Sequence, residues 1–287
     1  MTTTSRPNPG TTRSYAHTPT KTINVNGTSF VYRELGPAGG IPVVLLNHLA
    51  ANLDNWDPRV VDGLAAAHRV IAFDNRGVGA SKGSTPTTVA AMARDAVSFI
   101  RALGLTKVDL GGFSLGGFVA QVIAADEPQL VRKIVLAGTG PAGGVGIDKV
   151  TSITFKDMGH AALTFSDPKR YLFFTRTDDG QRAARDFVAR LKERTTDRDT
   201  AISPLTFRAQ LKAIHRWGRE APADLARIQQ PVLVANGDSD RMVPTSNSRD
   251  LARRLPNSEL VLYNDAGHGG VFQYHDEFVS KVLEFLA

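Results

Sequence analysis

From residue 107 the chain runs Lys107-Val108-Asp109-Leu110-Gly111-Gly112-Phe113-Ser114-Leu115-Gly116-Gly117-Phe118. The run Lys107–Leu110 has the apolar, β-branched character of a buried strand, and a helical pattern starts at Phe118. Between them lies Gly-x-Ser-x-Gly, so the serine sits on a sharp strand-to-helix turn. Such a turn strains the serine backbone and exposes its hydroxyl at the sheet edge. Strand and helix approach so closely there that only small neighbours fit, and Gly112, Gly116 and Gly117 supply the room. The following helix N-terminus favours negative charge developing nearby. Ser114 is therefore the candidate nucleophile.

A serine hydroxyl is a weak nucleophile without a base, and the base needs an acid to orient it. Downstream, two apolar strands end in glycine-containing loops: Pro231–Ala235 runs into Asn236-Gly237-Asp238-Ser239-Asp240, and Glu259–Tyr263 into Asn264-Asp265-Ala266-Gly267-His268-Gly269-Gly270. Of the seven histidines, only His268 follows the last strand in a glycine loop, so it is the candidate base. Asp240, closing its turn ahead of Arg241-Met242-Val243-Pro244, is preferred as the acid, with Asp238 shaping the turn. For an oxyanion, the backbone N–H groups of Leu115 and of Leu49 are the candidate donors. Leu49 follows the strand ending at Leu46. The adjacent His48 reads as packed or bonded to its loop.

Outward from these motifs, eight strand-like runs recur: Thr22–Val25, Ser29–Glu34, Pro42–Leu46, Arg69–Phe73, Lys107–Leu110, Lys133–Ala137, Pro231–Ala235 and Glu259–Tyr263. Asn26-Gly27 joins the first two as a hairpin. Helical patterns at Thr88–Leu103, Phe118–Ala125, Ser246–Leu255 and Asp276–Leu286 lie among them. The expected fold is α/β: a mostly parallel eight-stranded sheet flanked by helices. Residues 22–140 and 219–287 form its core. Residues 141–218 are too long for one crossover and read as an inserted helical lid, with helices at Lys169–Phe174, Asp179–Arg194 and Leu205–Trp217. Residues 1–21, rich in Thr, Ser and Pro, read as a disordered tail with no secretory apolar core.

The net charge of +6 is local. Ten basic residues face four acidic ones between 181 and 219, and residues 1–21 hold three basic residues and no acid. The rest of the chain sums to −3, so the basic character is not spread over the body, which argues against a nucleic-acid-binding body. The basic stretch reads as a solvated helix face, with steering of anionic substrates by Arg182, Arg185, Arg190 and Arg194 as the alternative. No run reaches the ~20 apolar residues of a membrane span, so a cytoplasmic location is the default. Cysteine is absent, which removes disulfides, a cysteine nucleophile and thiolate metal sites.

Taken together, these residues resemble the lid-bearing α/β-hydrolase superfamily. Asp74-Asn75-Arg76-Gly77-Val78-Gly79-Ala80-Ser81 is similar to its D-x-R-G-x-G-x-S segment, and Gly112–Gly117, Gly237–Asp240 and Gly267-His268 follow in the family's order. The resemblance covers about residues 22–140 and 219–287. One block departs: the usual His-Gly ahead of the oxyanion donor is Asn47-His48, which with Leu49 resembles the Asn-Ser-Leu of 3-oxoadipate enol-lactonases. The resemblance implies a serine hydrolase acting on a small-molecule ester or lactone through an acyl-enzyme, with no metal or organic cofactor. Carbon–carbon bond hydrolysis, perhydrolysis and a slow-turnover ligand receptor use the same triad and stand as alternatives. Serine at 114 argues against the dehalogenase and epoxide-hydrolase branches, which place aspartate there.

Overall fold

The computed structural model describes residues 14–287. Its eight strands form one sheet: β1 (Lys21–Val25), β2 (Thr28–Leu35), β3 (Val43–Leu46), β4 (Val70–Phe73), β5 (Val108–Phe113), β6 (Val131–Ala137), β7 (Val232–Gly237) and β8 (Ser258–Tyr263). Their spatial order is β1-β2-β4-β3-β5-β6-β7-β8. The β1–β2 and β2–β4 pairs are antiparallel, and every later pair is parallel. β3 to β7 are buried almost throughout, because helices cover both faces.

Ten α-helices pack around the sheet among the described residues: α1 (Pro58–Ala65), α2 (Val89–Ala102), α3 (Leu115–Asp126), α4 (Val150–Leu163), α5 (Lys169–Phe173), α6 (Asp178–Arg190), α7 (Pro204–Trp217), α8 (Ser246–Arg254), α9 (Gly270–Gln273) and α10 (His275–Leu286). One apolar cluster joins α2, α3 and α7 to one sheet face, while the other joins α1, α6 and α10 to the opposite face. Helices α4 to α7 all fall between β6 and β7, inside the long insertion. No described helix is long and apolar enough to cross a membrane.

Two sequence expectations need correction. Residues 1–13 of the expected tail lie outside the described residues. The rest of that tail, 14–21, is ordered. Ser14 Oγ donates to Asp62 Oδ2 at 2.7 Å, Tyr15 N to Asp62 Oδ1 at 2.6 Å, and the buried Tyr15 hydroxyl to Leu53 O at 2.6 Å. The buried aromatic ring, stacked near the Arg33 guanidinium, outweighs the polar composition around it. β1 itself begins at Lys21.

The second correction concerns the basic stretch. Two of its four named arginines do not form a solvated or steering face, because they turn inward, Arg190 to a buried acid and Arg194 chiefly to backbone carbonyls. Arg190 forks onto the fully buried Asp57, with Nε–Oδ1 at 2.9 Å and Nη2–Oδ2 at 2.7 Å, and Nη2 also donates to Phe272 O. Arg194 donates to Ala16 O, Thr18 O and Asp197, and stands 3.8 Å from Asp54. Arg182 stays on the surface, paired with Asp179 on its own helix. Helix α6 ends at Arg190, short of the expected Arg194, and Arg194 makes these contacts from beyond its end.

Candidate active site

The turn after β5 has the strained geometry its sequence implies. Ser114 has φ +56° and ψ −116°, a conformation that costs a non-glycine residue roughly 1–3 kcal/mol. Several bonds hold it there. Ser114 N donates to Ala137 O at 2.9 Å, and Ser114 O accepts from Gly117 N at 2.9 Å and from Thr139 Oγ1 at 2.8 Å. At Gly116 a β-carbon would lie 2.0 Å from Leu46 O, so α3 and β3 can meet only if that position is glycine. The Leu115 N–H is the first of α3 and, like any N–H at a helix start, has no intrahelical acceptor.

Asp240 lies just past β7 and His268 just past β8. The structure brings them together, with His268 Nδ1 2.8 Å from Asp240 Oδ2 and both side chains buried. The other carboxylate oxygen, Oδ1, accepts from Met242 N at 2.8 Å and Val243 N at 3.0 Å. Asp238 is exposed, accepting from Ser239 Oγ in its own turn and from Ala266 N of the loop after β8 at 3.4 Å. The His268 ring packs on Phe113 and Phe173, with centroids 4.9 and 5.4 Å away. Its loop is fastened to the insertion where Gly269 N donates to Phe173 O at 2.7 Å.

Ser114, His268 and Leu49 line one cavity of about 360 Å³. Its walls are mostly apolar, with Phe118 and Val243 from the core, and Val150, Leu172 and Phe207 from the insertion. That volume is at the small end of small-molecule sites.

The loop after β3 carries Leu49. Asn47 does not line the cavity but braces the loop: its Nδ2 donates to Phe73 O at 3.1 Å, and its Oδ1 accepts from Trp56 Nε1 at 2.5 Å. The next residue, Ala50, has φ +56°, and its N–H donates at 2.8 Å to Oε1 of the fully buried Gln210 on α7. His48 bonds to its loop through Nδ1 and Leu49 O at 2.8 Å, so Nδ1 carries the proton. Its ring meets Phe113 and Phe173 edge-on. Burial first, and then the nearby Lys169 ammonium, push its pKa down to about 3. The ring is therefore neutral at ordinary pH.

Asp74-Asn75-Arg76-Gly77, the other expected block, lies outside this cavity. Asp74 is fully buried, and its carboxyl is held well above the usual range by burial and by the adjacent Asp199. Ser81 closes the segment, donating to Asp74 O and accepting from Val31 N. Reasoning from sequence missed Gln210 and Lys169, because nothing local marks which side of an insertion helix faces the loop or the cavity. Among the described residues no three His or carboxylate side chains gather as a metal-binding group.

The sheet order, the strained serine between β5 and α3, and the buried His–Asp pair beyond β7 and β8 define a hydrolase class. The chain belongs to the α/β-hydrolase fold family, whose model matches residues 41–273. An α/β-hydrolase fold protein from Chitinophaga pinensis is 41% identical, with a TM-score of 0.90 over 96% of this chain and 99% of that one. A Caulobacter protein named RutD, a candidate carbamate hydrolase, is 31% identical over 266 residues, covering 90% of this chain and 96% of that protein. The enol-lactonase of Burkholderia xenovorans shares the fold, with a TM-score of 0.73 over 93% of this chain and 99% of that one, at 23% identity.

Proposed function

We propose that this hydrolase cleaves a carboxylic ester or lactone of a small, largely apolar acid through an acyl-enzyme. The observation that carries the reading is the 2.8 Å contact between buried His268 and Asp240, with His268 and Ser114 lining the same cavity. In the proposed sequence His268 Nε2 takes the Ser114 proton as Oγ attacks the carbonyl carbon. The N–H groups of Leu49 and Leu115 hold the oxyanion. His268 passes its proton to the leaving alkoxide, then draws a proton from water, which attacks the acyl-enzyme carbonyl and releases the acid. Asp240 keeps the proton on Nδ1 of the neutral ring and stabilises the imidazolium. Residues 141–218 act as the lid of this site and supply much of the cavity's apolar wall.

Carbamate hydrolysis is a second reading, favoured by the Caulobacter relative's name. The same attack on an aryl carbamate carbonyl would expel the phenol and leave a carbamoyl-enzyme, which water would hydrolyse to a carbamic acid that loses carbon dioxide to give the amine. A panel of p-nitrophenyl esters, small lactones and aryl carbamates, run against wild type and Ser114→Ala, tests both. Ester turnover that falls by at least about 10⁴-fold in the variant, with unchanged circular dichroism, supports the proposal. Turnover that survives the substitution overturns it, and faster cleavage of carbamates than of matched esters selects the second reading.

A further inference from the structure

One side chain on the cavity wall does not fit an apolar acyl pocket. Lys169, the first residue of α5, is the only lysine, arginine, aspartate or glutamate lining the cavity among the described residues. Its side chain is 22% exposed, and its acidic neighbour Asp167, two residues earlier and ahead of the helix, stands at 3.8 Å. A charge-assisted N–H to carboxylate bond is about 2.7–2.9 Å long, so Asp167 leaves the ammonium largely unspent. Its charge also acts on the His48 imidazole beside Leu49, disfavouring protonation there. The walls around it are apolar, including Leu172, Phe173 and Pro168.

We propose that Lys169 is an anion subsite, and that the substrate carries a single carboxylate at the end of an apolar chain away from the scissile bond. This rests on the hydrolase reading above and narrows its substrate class. A half-dry ammonium beside apolar walls gains most from an anion that enters with an apolar chain, because the chain expels water and strengthens the ion pair. A lone cation matches a monoanion. A phosphate dianion would leave one charge uncompensated in a low-polarity cavity. The substrate is thus an acid ester with a polar end, not a plain fatty ester.

Two measurements test the proposal. The first is the ratio of kcat/KM for 4-nitrophenyl hydrogen suberate to that for 4-nitrophenyl octanoate, which differ by the terminal carboxylate. Wild type should favour the suberate. The ratio should fall by about tenfold or more in Lys169→Met, the size of one charged hydrogen bond, and further in Lys169→Glu. A ratio that stays within twofold in both variants overturns the proposal while leaving ester hydrolysis intact. The second is calorimetric binding of monomethyl suberate and dimethyl suberate to Ser114→Ala, with and without Lys169→Met. Preference for the monoacid that disappears with the lysine supports the subsite even if no ester is turned over, and equal binding of the two ligands overturns it. Circular dichroism establishes that each variant folds.

Discussion

Asp240→Asn is the sharpest test of the proposed chemistry, because the surroundings dictate which way the new amide must face. Oδ1 of Asp240 accepts two backbone N–H bonds, from Met242 at 2.8 Å and Val243 at 3.0 Å. An amide nitrogen placed there would meet two donors head-on, so the asparagine must keep its oxygen on that side. Its NH₂ then faces His268 Nδ1, where Asp240 Oδ2 stood at 2.8 Å. Nδ1 has to accept, the imidazole proton moves to Nε2, and the ring can no longer take the serine proton. Flipping the amide would leave buried donors unpaired at about 1–3 kcal/mol each, so the wrong tautomer has no easy escape. In an analogous triad this change lowers kcat by about 10⁴-fold, which is about 5.4 kcal/mol of transition-state stabilisation at 1.36 kcal/mol per decade. Steady-state kinetics on a p-nitrophenyl ester measures it, with KM expected to change little. Asp238→Asn, on the exposed turn, should cost less than about tenfold, since it leaves the imidazole untouched. If Asp240→Asn stayed within tenfold of wild type, or if Asp238→Asn proved the more damaging, the assignment of the acid would be refuted.

Three further outcomes follow from the contacts around the site. Gln210→Met removes the acceptor for the Ala50 N–H and frees the Leu49 loop; kcat should fall by up to about 10²-fold with KM nearly unchanged, and an equal rise in KM would point to a wall residue instead. Arg190→Met leaves the buried Asp57 charge unpaired, and urea denaturation should show a loss of about 3–5 kcal/mol; a loss near the ~1 kcal/mol of a surface pair would mean water reaches Asp57. The folded-state pKa of His48, about 3, lies below its ordinary 6.5, so the unfolded chain binds the proton first as pH falls. The neutral ring's contribution is full above pH 6.5 and is lost progressively down to pH 3. Between pH 6.5 and 4.5 wild type should lose about 2–3 kcal/mol more stability than His48→Asn, measured by urea unfolding at each pH, and parallel losses would contradict it.

The sheet was legible because its strands are apolar runs closed by turn residues, and the observed strands fall close to those runs. Ser114, Asp240 and His268 could be singled out because each follows a strand in a glycine-containing turn. Helix α1 was missed although Asp57-Pro58 is a start signal, with the Asp57 side chain capping Arg59 N. Helix α4 was missed because Val150-Thr151-Ser152-Ile153-Thr154-Phe155 is β-branched and has no side-chain cap. Its helical state comes from packing on α5 and α7, which overrides local preference. The basic stretch was misread for a related reason. The partners that turn Arg190 and Arg194 inward, Asp57 and the carbonyls of Ala16 and Thr18, stand more than 130 positions earlier in the chain, and a local count of charges cannot see a partner that distant.

Those distant partners also bear on what the insertion does. If it were only a cover, its contacts would be with substrate and with its own helices. Instead α7 reaches the Leu49 loop through Gln210 and Ala50, and the end of α5 holds the His268 loop through Phe173 O and Gly269 N. A buried ion pair fixes α6 to the loop before α1. Arg241, beside Asp240, likewise donates to Asp157 Oδ2 on α4 and to Tyr171 O on α5, so all three loops carrying the proposed chemistry are set partly by the segment that also shapes the pocket. A change of specificity made by altering α5 or α7 should then carry a change in kcat. Exchange of the whole insertion with that of a relative should fail unless acceptors equivalent to Gln210 Oε1 and Phe173 O come with it. Selection and catalysis share backbone positions here, so the two can be varied separately only at residues such as Phe207 that line the cavity without bonding to any of these loops.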